Sequence, residues 1–365
     1  MYRILISGYY GFNNIGDESI LRAVVDNLQD RLEDIDITVL SQDPVSTGEK
    51  YGVKSVNRKS VKSIIRAVRQ CDLLISGGGS LLQDVTSKKS IIYYLLIMWM
   101  AQFFRKNIFI YSQGIGPINS AVNRKLTART LSNVSGIVVR DEASKEFLAE
   151  IGLPRNKIAV TADPVLRIKP APLEMGEKIL SEEGIEISRE KLTVGFAIRE
   201  RKQDSEFIDE LCIAVERLVE EYDAQIVLIP FHYSEDVTVI DELERRLGNM
   251  VCSIKHKYLT DEMLSIIGNM DVLIGVRLHA LIHAAIMDVP MIAISYDPKI
   301  NSFMKSIGMK AMCSIYDFNN EDFMDEFNKT MINKEVLKKR VQEKVGLLNQ
   351  ALDTNEQMIK ELMVK

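Results

Sequence analysis

Short apolar runs that alternate with helical patterns dominate this chain, and they leave few folds open to it. Arg3–Ser7, Asp36–Leu40, Asp72–Ser76, Ile108–Ser112, Gly136–Val139 and Lys157–Val160 each read as a buried β-strand. Helical periodicity fills the gaps at about 17–30, 61–69, 91–104 and 121–131. Strands buried on both faces and separated by helices specify a parallel sheet covered on each side. Asp163–Leu166 closes this first series, and the prolines of Lys169-Pro-Ala-Pro-Leu-Glu-Met-Gly176 mark a linker. A second series follows, with strands at Leu192–Ile198, Gln225–Pro230, Val251–Ile254, Asp271–Gly275 and Met291–Ser295. The expected fold is therefore α/β, with two doubly wound, Rossmann-like domains. Their bounds are 1–168 and 191–333, joined by a linker at 169–190 and followed by charged surface helices at 334–365.

Composition narrows the function classes. The 365 residues carry 46 Lys and Arg against 51 Asp and Glu, a net charge of -5, which argues against a broad nucleic-acid-binding face. Cys71, Cys212, Cys252 and Cys313 form no C-x-x-C pair and read as reduced thiols of a cytosolic protein. No secretory signal is legible at Met1–Gly8. The segment Ile91–Phe104 is almost unbroken apolar sequence between Lys88, Lys89 and Arg105, Lys106. As a helix it is about 21 Å long, short of a ~30 Å hydrocarbon core. Its place between two buried strands favours a crossover helix, with contact to a membrane surface as the second reading.

Doubly wound sheets bind ligands beyond the carboxyl ends of their strands, so the informative residues are those just after each strand. Ser7-Gly-Tyr-Tyr-Gly-Phe-Asn-Asn-Ile-Gly-Asp-Glu-Ser19 is the first such loop. It is neither a Walker A loop nor a G-x-G-x-x-G turn. Gly16 relaxes its backbone, and Asp17 is either a helix cap or a contact to an acceptor hydroxyl. Gly77, Gly78 and Gly79 follow the next buried strand, either as a tight turn or as a backbone wall near a ligand. Gln113 lies in a third loop, Tyr111–Pro117. Arg140 ends a strand, as a surface partner of Asp141 or as an anion clamp. In the second half Arg199, His232, Arg277, His279 and Lys299 occupy the same kind of position. Arg277 and His279 fall in the first turn of a helix, where N–H groups favour an anion. His283, four residues on, reads as a core histidine among Ala, Leu and Ile, and a metal site is not expected. Arg140, Arg199, Arg277, His279 and Lys299 would converge on one cleft and imply an anionic substrate.

With these motifs in view, the chain resembles the polysaccharide pyruvyl transferase family, most closely its CsaB type. The resemblance rests on Gly8–Ser19, Ser76–Ser80, Ser112–Pro117, Arg140–Ser144, Ala162-Asp-Pro164, Gly275–His279 and Tyr296–Lys299. It implies a fold like that of GT-B glycosyltransferases and transfer of pyruvate from phosphoenolpyruvate to a sugar as a 4,6-ketal, with release of phosphate. It further implies a lipid-linked disaccharide of N-acetylmannosamine and N-acetylglucosamine as acceptor, in the secondary cell wall polymers that anchor surface layers of Gram-positive bacteria. No cofactor is implied beyond the donor substrate. On that reading His279 is the general acid/base, and Arg277 and Lys299 bind phosphate. Arg140 and Arg199 hold donor anions, and Asp17 orients an acceptor hydroxyl. The expected partners are phosphoenolpyruvate, the lipid-linked acceptor and a membrane surface touched through 91–104, with no nucleic acid. The expected place is the cytoplasm, at large or at the inner face of the membrane. A nucleotide-sugar glycosyltransferase and a non-catalytic anion-binding protein share the architecture and stand as the alternatives.

Overall fold

The computed structural model describes residues 1–85, 89–188, 190–199 and 205–364, so Lys88 lies outside the described residues. Two compact units emerge, one built from 1–168 and 347–365, the other from 169–346.

The first unit carries a parallel sheet of eight strands. They are β1 (Tyr2–Tyr10), β2 (Ile35–Ser41), β3 (Lys54–Asn57), β4 (Leu73–Ser76), β5 (Gly79–Leu82), β6 (Asn107–Ile115), β7 (Gly136–Val139) and β8 (Ile158–Val160). Their order is β3-β2-β1-β4-β6-β7-β8, with β5 added to β6. The direction of winding reverses between β1 and β4, whose Ser7 and Ser76 lie side by side at the carboxyl edge. Apolar side chains of alternate strand positions, Leu5, Leu74 and Ile110 among them, form one core with the helices Val61–Gln70, Ser90–Phe103 and Ala121–Leu131.

The second unit has six parallel strands, β9 (Thr193–Ala197), β10 (Gln225–Leu228), β11 (Val251–Ser253), β12 (Val272–Gly275), β13 (Met291–Ser295) and β14 (Cys313–Ser314). Their order is β11-β10-β9-β12-β13-β14, and the reversal falls between β9 and β12. Its core includes Phe196, Leu211, Leu228, Ile274, Phe323 and Phe327.

Three elements depart from the expected ones. Asp163–Leu166 is no strand: Asp163 caps a 3₁₀ turn over Pro164–Arg167. The proline-rich linker carries a helix, Leu173–Glu182, because Pro172 stands at its cap, where a missing N–H costs nothing. Gly176 of that helix touches Ser265, where a Cβ would collide with backbone.

The C-terminal segment forms two helices as expected, but only the first stays on the surface, with Val341 its one buried residue. Helix Lys334–Ala351 begins in the second unit and ends in the first, and Asp353–Val364 then packs into the first. Asn355 donates to Ser112 Oγ at 2.8 Å. Buried Glu356 accepts from the Tyr111 hydroxyl and from Arg167 at 2.9 Å. Asp353 pairs with Arg167 and, at 2.8 Å, with Arg31. A carboxylate so deep is tolerated only because each oxygen meets a donor.

Candidate functional site

In the second unit the expected residues come together at the winding reversal. Ala197 of β9 and Gly275 of β12 are paired, and each chain continues two residues to an arginine, Arg199 and Arg277. Arg199 lies 4.6 Å from the ring of Tyr296, and the Lys299 ammonium 5.6 Å from the same ring. Burial alone would push the Tyr296 phenol up. The charges of Lys299, Arg199 and Arg277 outweigh it and hold the phenol below its ordinary value. Three cations thus converge around one hydroxyl.

Carboxylates hold that cluster in place. Asp236 is fully buried and accepts from the backbone N–H groups of Phe231 and His232, at 3.0 and 2.8 Å. Its other oxygen takes the Arg277 guanidinium, and Glu235 lies 3.3 Å from the same nitrogen. His232 Nδ1 is 3.1 Å from Glu235. The hydrogen bond with His232, aided by Arg277, holds the Glu235 carboxyl down at about 2, although burial opposes it. Among the described residues, Nε of Arg277 and Nε of Arg199 are buried without a hydrogen-bond partner. Arg277 stands at the cap of helix Leu278–Ile286, and His279 is its second residue, half-buried at the mouth. His283 is buried against the Phe231 ring, 5.4 Å between centroids.

In the first unit the loops surround a buried tyrosine. Asn14, not Asp17, caps helix Ile15–Arg31, its side chain accepting from Gly16 N at 3.1 Å. Asp17 lies in the first turn of that helix, and its Oδ1 is beside Gly79, 3.3 Å from where a Cβ would stand. Gly79 has φ +85°, which favours glycine. Gly77 and Gly78 are governed by packing: a Cβ on Gly77 would collide with the Tyr10 hydroxyl, and one on Gly78 would meet Ile20 at 2.8 Å. Gly77→Ala is expected to cost about 1–3 kcal/mol through overpacking. Urea unfolding checks this, and an unchanged midpoint would show that Tyr10 moves freely. Gln113 is buried where β6 pairs with β5 and β7, and among the described residues its amide has no hydrogen-bond partner.

Arg140 sits at the expected edge but not as a clamp open to ligand. Its side chain is 5% exposed, pairs with Asp163 at 2.8 Å and donates to Ser80 at 3.1 Å. It also lies over Gly114, where a Cβ would be 2.7 Å from the guanidinium. Its charge is thus already matched, and it ties strand β5 to the segments after β7 and β8.

Sequence reasoning missed Arg58, Asp163, Glu235, Asp236 and Tyr296 as parts of these clusters. Arg58 follows β3 and is buried among Tyr9, Phe12, Tyr93 and Tyr94, 4.6–5.8 Å from their centroids, donating to Gly8 O at 3.0 Å. The signal available for Asp236 was its place four residues after His232, where a side chain can turn back onto the loop N–H groups.

A family model of polysaccharide pyruvyl transferase matches residues 14–298, from the loop before Asp17 to the turn before Lys299. The chain belongs to the polysaccharide pyruvyl transferase family. It is 22% identical over 401 residues to the amylovoran biosynthesis protein AmsJ of Erwinia amylovora, covering 93% of this chain and 94% of the relative. Among solved structures it is similar to Anabaena Alr3699/HepE in complex with UDP-glucose, at 12% identity and TM-score 0.68, covering all of both chains. A UDP-N-acetylglucosamine 2-epimerase of Listeria monocytogenes, described as putative, has TM-score 0.68 at 14% identity, over 98% of this chain and 97% of its own. The fold of this pyruvyl transferase family member is accordingly of the GT-B class. No helix among the described residues is long and apolar enough to cross a membrane.

Proposed function

We propose that this protein moves pyruvate from phosphoenolpyruvate onto a sugar as a 4,6-ketal, releasing phosphate. The acceptor we assign is N-acetylmannosamine of a lipid-linked disaccharide, in the cytoplasmic assembly of a secondary cell wall polymer. The observation that carries the donor assignment is the meeting of Arg199, Arg277 and Lys299 around Tyr296. Phosphoenolpyruvate brings a carboxylate and a phosphate, and fixed guanidinium forks suit both.

In the proposed reaction His279 delivers a proton to the methylene carbon, leaving C2 electron-poor. One sugar hydroxyl adds to C2 and loses its proton to a base. The second hydroxyl then adds as the C2–O bond to phosphate breaks, and its proton leaves with the departing phosphate. Arg277 and Lys299 stabilise the charge that gathers on phosphate, and Arg199 holds the carboxylate. Asp17 orients or deprotonates an acceptor hydroxyl. Asp236 positions Arg277.

The test is phosphate release from phosphoenolpyruvate with and without the disaccharide-lipid, beside a nucleotide-sugar control. Acceptor-dependent release, with one pyruvate ketal found on the acceptor by mass spectrometry, is expected. Turnover of the nucleotide sugar and none of phosphoenolpyruvate would reject the proposal.

A further inference from the structure

The net charge of -5 conceals a segregation. Residues 51–140 contain 14 Lys and Arg but only Asp72 and Asp84 as acids. Three helices of that stretch, Val61–Gln70, Ser90–Phe103 and Ala121–Leu131, cover one side of the first unit's sheet, and the middle one touches both others. None of the three contains an acidic residue. The acidic helix Glu142–Glu150 also packs onto this core and bounds the patch.

Their inward faces are spent on the core, through Ile64 and Val68, then Ile91, Leu95 and Met98, then Leu131. Their outward faces carry Lys62, Arg66, Arg69, Arg124, Lys125 and Arg129, all exposed. Among the described residues none of these six has an ion-pair partner. Apolar side chains stand out between them: Phe103 is 80% exposed, Val61 and Val122 66%, Leu96 48% and Ile65 39%. Uncompensated cations mixed with protruding apolar groups suit one kind of partner. A bilayer interface rewards both, whereas a nucleic acid rewards only the charge.

We infer that this three-helix face docks on the surface of an anionic lipid bilayer, lying on it without crossing. The contact is broader than the segment 91–104 and uses a different part of it. Within Ser90–Phe103 only Leu96 and Phe103 are exposed, and Trp99 donates to Thr130 Oγ1 at 2.7 Å, so the lipid-facing residues are those two. The inference does not depend on pyruvyl transfer, because vesicle binding is measured without donor or acceptor.

The experiment is co-sedimentation of the full chain with phosphatidylcholine vesicles, plain or containing a third phosphatidylglycerol. Binding to the anionic vesicles alone, weakening as salt rises, is expected. Each surface cation is worth about fivefold in partitioning, so a Lys62→Gln, Arg66→Gln, Arg124→Gln, Lys125→Gln variant should bind at least tenfold more weakly. A Leu96→Ser, Phe103→Ser variant should also bind more weakly while keeping its salt dependence. These positions are exposed, so the variants keep the fold, which circular dichroism verifies. Equal binding to both vesicle types, binding to neither, or unchanged binding by either variant overturns the inference. So does tight binding of duplex DNA that falls in the charge variant and not in the Leu96, Phe103 variant. Phosphate release with a water-soluble disaccharide should be the same in all variants, and its loss would bear on the transfer reaction instead.

Discussion

His279→Ala lowers single-turnover phosphate release from phosphoenolpyruvate by about 10²–10⁴-fold, the range a positioned general acid contributes. Donor affinity should change little, because the proposed holders of its anions are Arg199, Arg277 and Lys299. Arg277→Ala and Lys299→Ala should show the reverse pattern, with affinity falling first. The distinction follows from placement. Arg277 is clamped by buried Asp236 and faces Tyr296, whereas His279 sits half-buried in the first turn of the helix. A His279→Ala enzyme that releases phosphate at close to the wild-type rate would remove it from the chemistry. Asp236→Asn offers a second view: the backbone N–H bonds survive in part, but Arg277 loses its charged anchor. Donor affinity should then drop without a matching loss of fold.

What could be read in advance follows from the geometry of βα units. A strand buried on both faces announces itself by unbroken apolar sequence, and whatever follows it must emerge at the carboxyl edge. That is why Arg199, His232, Arg277, His279 and Lys299 could be found from position alone. The weak strands were not legible. Polar β3 (Lys-Ser-Val-Asn) and glycine-led β5 owe their structure to neighbours, not to periodicity. Arg58 was hidden for the same reason, since it follows β3 and reads as the start of a basic run. Asp236 looked like an ordinary helix-start acid. Only the return of its side chain onto Phe231 N and His232 N, and the approach of β12, make it a clamp. Prolines 170 and 172 were read as breakers, whereas a proline at a helix start costs nothing. The C-terminal helix showed charge and hid its anchor, because Glu356 is matched by Arg167, 189 residues away in sequence.

Arg140→Met is expected to destabilise the first unit by about 3–5 kcal/mol, because it strands a buried carboxylate. Asp163 is 4% exposed, its Oδ2 meets Arg140 at 2.8 Å, and its Oδ1 accepts from Val165 N at 3.2 Å. Such pairs are costly to break and cheap to replace whole, since both charges were desolvated to make them. An Arg140→Met, Asp163→Leu double variant should therefore regain most of the loss in urea unfolding of the full chain. The same pair of proteins decides what Arg140 is for. If it ties β5 to the segments after β7 and β8, the refolded double variant binds phosphoenolpyruvate with nearly wild-type affinity, because the proposed donor cations belong to the second unit. If it clamps the donor, affinity collapses in a protein whose stability has been restored. The geometry favours the first outcome: both terminal nitrogens are engaged, and the guanidinium lies against Gly114, where a Cβ would stand 2.7 Å from it.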